Sequence, residues 1–350
     1  MRWALLLVLG GGVLAAVSGL PARRAVAQGA GCLPAASHRY VILLHGFNSS
    51  SLVDDTTGAP TPANHRVRDD FRFLREALVQ GLAPAPEVIY FSYGAARQLA
   101  RGAPPAAAWA GDTYRDESEP RYAARDTTDL PLAAHAAALG WLVRELLRCD
   151  STAVVHLVGF SLGGVVAVRW VADEPEGPDS PLRAVRRVVL LDSPLGGING
   201  PLLRQAVQLV PAAAVLLGDG TMIRDLASSS ELLAATREAA QRVDLTAIES
   251  SGDFVVNGAA LLGGAWLGRG LAAGGEALGA ELELRRLDIA LPRATGGSLY
   301  ERVLALHALP LHEPAVREAL LEALHHDGPR WQARRGAQPP PTPISPARAE

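Results

Sequence analysis

The chain has 350 residues, 49% of them hydrophobic and 5% aromatic, with 35 Gly and 25 Pro. That composition suits a folded α/β protein with Pro-rich loops and excludes a disordered chain, and the length accommodates one large domain or two small ones. The formal net charge is -3, with arginines dispersed among acids, so there is no basic stripe of the kind a nucleic-acid partner would need.

The N-terminus reads as a targeting segment. Arg2 precedes the apolar stretch Trp3 to Leu20, Pro21 breaks it, and Ala25-Val26-Ala27 offers small residues at the spacing a signal peptidase uses. Residues 1–27 are therefore predicted to be a signal peptide cleaved before Gln28, giving a secreted or periplasmic protein. The alternative is a membrane anchor through residues 3–20, near the lower limit of about 17 residues that a bilayer requires. Cys32 and Cys149 are the two cysteines. They are too few for a metal site, and an oxidising compartment permits one disulfide between them.

In chain order, His38 to Leu44 reads as a buried strand that runs into the polar loop His45-Gly46-Phe47-Asn48. Residues 52–68 read as loop, and Asp69 to Leu78 as a helix with acids at its start. Glu87 to Tyr93 is the second strand. A Pro-, Ala- and aromatic-rich insertion fills 94–120. Asp126 to Leu130 is expected to cap a helix continuing through Ala133 to Leu147. Val154 to Phe160 is the next strand, the helix after Ser161 runs to about Val171, and Val185 to Leu191 is a further strand.

Helical segments are expected within 201–240, then strands over Val243 to Ser250 and Glu281 to Ile289, and a last helix over Pro314 to His325. Residues 94–120, 198–240 and 258–279 are candidate lid or cap segments. Residues 328–350 read as a disordered tail. The alternation of strand and helix predicts a single α/β domain over 38–325, a mostly parallel central sheet with helices on both faces.

The chemistry centres on Gly159-Phe160-Ser161-Leu162-Gly163-Gly164. A serine between two glycines, after an apolar strand and before a helix, is lifted out of the strand end with its hydroxyl exposed. A serine hydroxyl needs a base to take its proton and an acid to fix that base. Asp253, after the strand ending at Ser250, is the preferred acid, with Asp192 as the rival. His307 is the preferred base, with His312 as the rival. Two N–H donors are needed for the oxyanion of a tetrahedral intermediate. They are assigned to the backbone of Leu162 and of Phe47, with His45 orienting the loop.

With His45-Gly46-Phe47-Asn48, the glycine-flanked Ser161, Asp253 and His307, the chain resembles bacterial secreted lipases and esterases of the α/β-hydrolase superfamily over roughly residues 38–325. The resemblance implies Ser161 as nucleophile, His307 as base, Asp253 as acid and acyl esters as substrates. The His-Gly-Gly-Gly loop of the carboxylesterase type is absent from the sequence. An exported carboxylic ester hydrolase is expected, acting on acylglycerols or other esters at a possible lipid interface. Its alternatives are an acyltransferase, amidase or thioesterase using the same triad, and a non-catalytic binding protein. No step demands a metal or another cofactor, and no obligatory protein partner is implied. The acidic pairs Asp54-Asp55 and Asp69-Asp70 read as solvated loop residues.

Overall fold

The computed structural model of the chain describes residues 37–46, 73–91, 93, 96, 99, 129–198, 221–227, 229–251, 253, 282–289, 307 and 309–336. Six strands form one sheet: β1 (Arg39–Leu44), β2 (Glu87–Tyr90), β3 (Val154–Phe160), β4 (Val185–Leu191), β5 (Leu245–Ser250) and β6 (Glu283–Leu287). Their order is β2-β1-β3-β4-β5-β6 and every pairing is parallel. β1, β3 and β4 are near-continuous aliphatic runs, as strands covered on both faces must be. The edge strand β6 is charged instead. Its Glu283 and Arg285 pair with Arg187 and Glu322, which leaves that edge a poor template for a further strand.

Helices cover both faces. They are α1 (residues 73–81), α2 (Leu132–Cys149), α3 (Leu162–Asp173), α4 (Thr221–Ala227), α5 (Ser229–Arg242), α6 (Pro314–His325) and α7 (Pro329–Gly336). Successive strand residues point to opposite faces. Tyr40, Ile42, Val155, Leu157 and Val188 pack with α2, α3, α4 and α5 in one core. Val41, Leu43, Val158, Val189 and Ile248 pack with α1 and α6 in the other. Each aliphatic side chain so buried stabilises the fold by about 1.5–3 kcal/mol. The chain therefore has the α/β-hydrolase architecture, a parallel sheet flanked by helices with a strand–turn–helix elbow at β3 and α3.

One feature of this order positions the site. The chain leaves β1 for β2 on one side, while β3 lies on the other side of β1. A crevice opens at such a reversal, outside the C-terminal ends of the two central strands.

The structure corrects several expectations. Within the 198–240 segment, Met222, Leu226, Leu232 and Ala239 belong to the core against α3 and the sheet. The start of α2 draws an acid from far along the chain. Pro131 occupies the cap position, and Asp225 of α4 accepts the N–H of Leu132 at 2.7 Å. β5 begins at Leu245 because the N–H of Val243 still closes α5 onto Ala239.

The tail expectation fails over its first part, since Pro329–Gly336 is helical. Asp244 accepts the N–H groups of Arg330 and Trp331 at 3.1 and 2.8 Å, capping α7 from a distance, and Trp331 is buried. Residues 1–36, most of the 94–120 insertion, 199–220, 258–279 and 337–350 lie outside the described residues. So does Cys32; Cys149, the last residue of α2, is half-buried.

Candidate active site

β3 ends at Phe160, and Ser161 turns the chain into α3 with φ 54° and ψ -120°. A serine held at positive φ costs on the order of 1–3 kcal/mol and persists only where its surroundings impose it. The Ser161 N–H donates to the Leu191 carbonyl at 2.9 Å, and the Gly164 N–H donates to the Ser161 carbonyl at 3.1 Å.

Missing side chains let three backbones meet here. A Cβ on Gly159 would stand 2.5 Å from the Gly164 Cα, and one on Gly163 would collide with the Leu44 carbonyl oxygen. A Cβ on Gly46 would stand 2.9 Å from the Ser161 Cβ and 3.3 Å from its Oγ. The exit of β1, the exit of β3 and the first turn of α3 therefore touch around Ser161. Leu162 opens α3, so its N–H has no acceptor within the helix and stands at the positive end of the helix dipole. Ser193 is a structural partner that the motif does not reveal. Its side chain occupies the space a Gly164 side chain would need, and its hydroxyl donates to the Leu191 carbonyl at 3.2 Å.

Asp253 and His307 meet. Asp253 is fully buried after β5, and its N–H donates to the Ser250 carbonyl at 3.1 Å. Its Oδ2 lies 2.6 Å from Nδ1 of the buried His307. A carboxylate can only accept, so Nδ1 carries a proton. Nε2 is buried and makes no hydrogen bond among the described residues. The imidazole packs against Phe160, the residue before Ser161.

The rivals are occupied elsewhere. Asp192 is buried after β4 and accepts both the N–H and the hydroxyl of Ser250, at 2.7 and 2.9 Å. Burial first, and the charge of Asp253 second, push its carboxyl well above the usual range; the Ser250 bonds oppose this without prevailing. His312 lies in the short 3-10 turn Leu309–His312, half-buried with its ring 5.1 Å from that of Phe73. The close contact between an acid and an imidazole at these strand exits is the one between Asp253 and His307.

The loop after β1 is fastened from below. Tyr93, fully buried, donates its hydroxyl to the His45 carbonyl at 2.8 Å, and its ring lies between those of His45 and His135, at 4.6 and 4.9 Å. Burial pushes His45 down to about 4, offset only in part by the contact of Nδ1 with the Gly46 carbonyl. His45 is thus a neutral packing group at pH 7. Phe47, the expected second oxyanion donor, lies outside the described residues, as do Asp54-Asp55 and Asp69-Asp70. Among the described residues no group of three or more His, Cys, Asp or Glu side chains is placed to hold a metal ion. No helix among them is long and apolar enough to cross a membrane.

No protein-family model matches the chain, and no curated protein matches it. Solved structures do. A lipase of Bacillus licheniformis in its mature form is 14% identical, with 62% of this chain and 67% of that one covered and a TM-score of 0.35. A monoacylglycerol lipase of Paleococcus ferrophilus is 12% identical over 81% of this chain and 94% of its own, with a TM-score of 0.39. A carboxylesterase of Nitrososphaera gargenis is 11% identical over 82% and 91%, with a TM-score of 0.41. Likeness at this level assigns no residue a role, and the roles below rest on this chain's own geometry.

Proposed function

We propose that this protein is a serine hydrolase of carboxylic esters that works through an acyl-enzyme on Ser161. The observation that carries the reading is the Asp253–His307 pair, 2.6 Å apart and buried, with the imidazole against the residue that precedes a strained Ser161. In this reading the Nε2 lone pair of His307 takes the proton of the Ser161 hydroxyl as Oγ attacks the ester carbonyl. Asp253 holds the imidazole in the Nδ1–H tautomer and stabilises the imidazolium that forms. The N–H of Leu162, at the dipole end of α3, receives the oxyanion together with the N–H of Phe47.

Collapse of the intermediate expels the alcohol, which takes its proton from His307. Water, deprotonated by His307, then attacks the acyl-enzyme and frees the acid. Carboxylic esters, acylglycerols among them, are the substrate class, and residues 1–27 are the export signal.

The test is turnover of p-nitrophenyl esters of increasing acyl length by the protein lacking residues 1–27. Ser161→Ala, Asp253→Asn and His307→Ala are each expected to lower kcat on the order of 10^4-fold or more. Undiminished turnover in Ser161→Ala would refute the acyl-enzyme. Transfer of the acyl group to an added alcohol in preference to water would make the protein an acyltransferase.

A further inference from the structure

The exits of β4 and β5 are tied together by Asp192. This residue leaves β4 at φ 42°, a left-handed backbone that a residue other than glycine seldom adopts. Its own N–H donates to the Ile248 carbonyl at 3.0 Å. One carboxyl oxygen accepts the Ser250 N–H at 2.7 Å and the other accepts the Ser250 hydroxyl at 2.9 Å. Ser250 is wholly buried, and its carbonyl accepts the N–H of Asp253 at 3.1 Å. Asp253 then reaches His307 at 2.6 Å. Four buried residues thus make one hydrogen-bonded chain from the end of β4 to the imidazole.

We propose that Asp192 is a positioning residue for the Asp253–His307 pair, fixing through both Ser250 bonds the turn from which Asp253 reaches the imidazole. The inference rests on the reading of Asp253 as acid and His307 as base. Asp253 departs from β5 only three residues past Ser250, so rotation of that peptide would swing its carboxylate. A catalytic constellation tolerates about 0.5 Å of error, and a misplacement of about 1 Å can cost some 10^2-fold in rate.

A second charged carboxylate beside Asp253 would work against it. Burial and the charge of Asp253 keep Asp192 neutral over a wider pH range than an ordinary carboxyl. A neutral acid is imitated by an amide, whose oxygen still accepts the Ser250 N–H, so asparagine is the conservative replacement.

The experiment compares Asp192→Ala and Asp192→Asn, each with and without Asp253→Ala. Rates are taken per active site titrated with a phosphonate. The far-downfield proton resonance of the His307 Nδ1–H, which needs no substrate, is recorded alongside. Asp192→Ala is expected to lower kcat by about 10- to 100-fold with KM within about twofold, and to shift or abolish the resonance. Asp192→Asn recovers most of both. On the Asp253→Ala background, Asp192→Ala adds no further loss, because it acts through Asp253.

A folded Asp192→Ala with parental kcat and an unmoved resonance overturns the proposal, and so does an equal loss on the Asp253→Ala background. If circular dichroism shows Asp192→Ala unfolded, Ser250→Ala, which removes only the hydroxyl link, decides instead. A loss of kcat of about threefold or more that vanishes on the Asp253→Ala background supports the proposal, and parental kcat overturns it. A parent protein that turns over no ester, yet whose resonance still responds to Asp192, would leave the positioning role standing and remove the ester reading.

Discussion

Phe160 and His307 stack with ring centroids 4.7 Å apart and planes inclined by 32°. One strand end therefore supplies both the proposed nucleophile, Ser161, and a wall for the proposed base. His307 is held on one edge by the Asp253 carboxylate and on one face by this ring.

Phe160→Ala removes the wall and leaves a cavity between the sheet and α6. It is expected to cost about 3–5 kcal/mol of stability and to lower kcat more than it raises KM. Phe160→Leu should lose less of both. Urea unfolding and steady-state kinetics on the two variants check this. An alanine variant with parental kcat would show that the imidazole needs no such support.

Gly163 and Gly46 should fail in different ways. A Cβ on Gly163 meets the Leu44 carbonyl, a backbone atom that can yield only if β1 or α3 moves. Gly163→Ala should lose at least about 1–3 kcal/mol and accumulate poorly as folded protein. A Cβ on Gly46 meets the Ser161 side chain at 2.9 Å instead. Gly46→Ala should therefore stay folded, with ester turnover reduced about tenfold or more, on the scale of a misplaced reacting group. Thermal midpoints and turnover on the pair separate the two effects. Equal stability loss in both would contradict the distinction.

Much of this was legible in the chain, and what was not has a physical reason. Val154 to Phe160 announces a buried strand because β-branched and aliphatic residues dominate it, and the glycines after it announce a sharp turn. Residue type and place nominate Asp192 and Asp253 as acids, and His307 and His312 as bases. Which acid meets which base is a matter of contact, since the His307–Asp253 bond spans 54 positions. The same limit explains the helix errors. Asp225 accepts the N–H of Leu132 at the start of α2 from 93 positions away. The segment at 329–336 has one large apolar residue, Trp331, and it folds as a helix with Trp331 buried and with Asp244, 86 positions earlier than Arg330, capping it.

Acid should destabilise the protein through its buried histidines. His156, in the middle of β3, is wholly buried, and neither ring nitrogen has a hydrogen-bond partner among the described residues. Burial first, then the charges of Arg186, Arg39 and Arg187, hold it well below its ordinary value of 6.5. His45 is pushed down to about 4. Below about pH 6.5 the unfolded chain takes up protons at these sites that the folded protein refuses, so stability falls as pH falls.

The slope approaches about 1.4 kcal/mol per pH unit for each histidine, and for His45 it levels off near pH 4. Asp192, raised rather than lowered, pulls the other way. Comparison of His156→Leu with the parent isolates the His156 term. Urea unfolding at about pH 7.5 and 5.0 should show a smaller acid loss in His156→Leu. An identical loss would mean that His156 does not titrate on unfolding.

The most direct measurement of the central claim is covalent capture. The protein lacking residues 1–27 would be treated with an alkyl fluorophosphonate, and the adduct located by peptide mass spectrometry. The account predicts a single adduct on Ser161, with capture slowed on the order of 10^3-fold or more in His307→Ala because the hydroxyl then lacks its base. A folded protein that forms no adduct, or one captured on Ser161 at the same rate without His307, would contradict an activated serine.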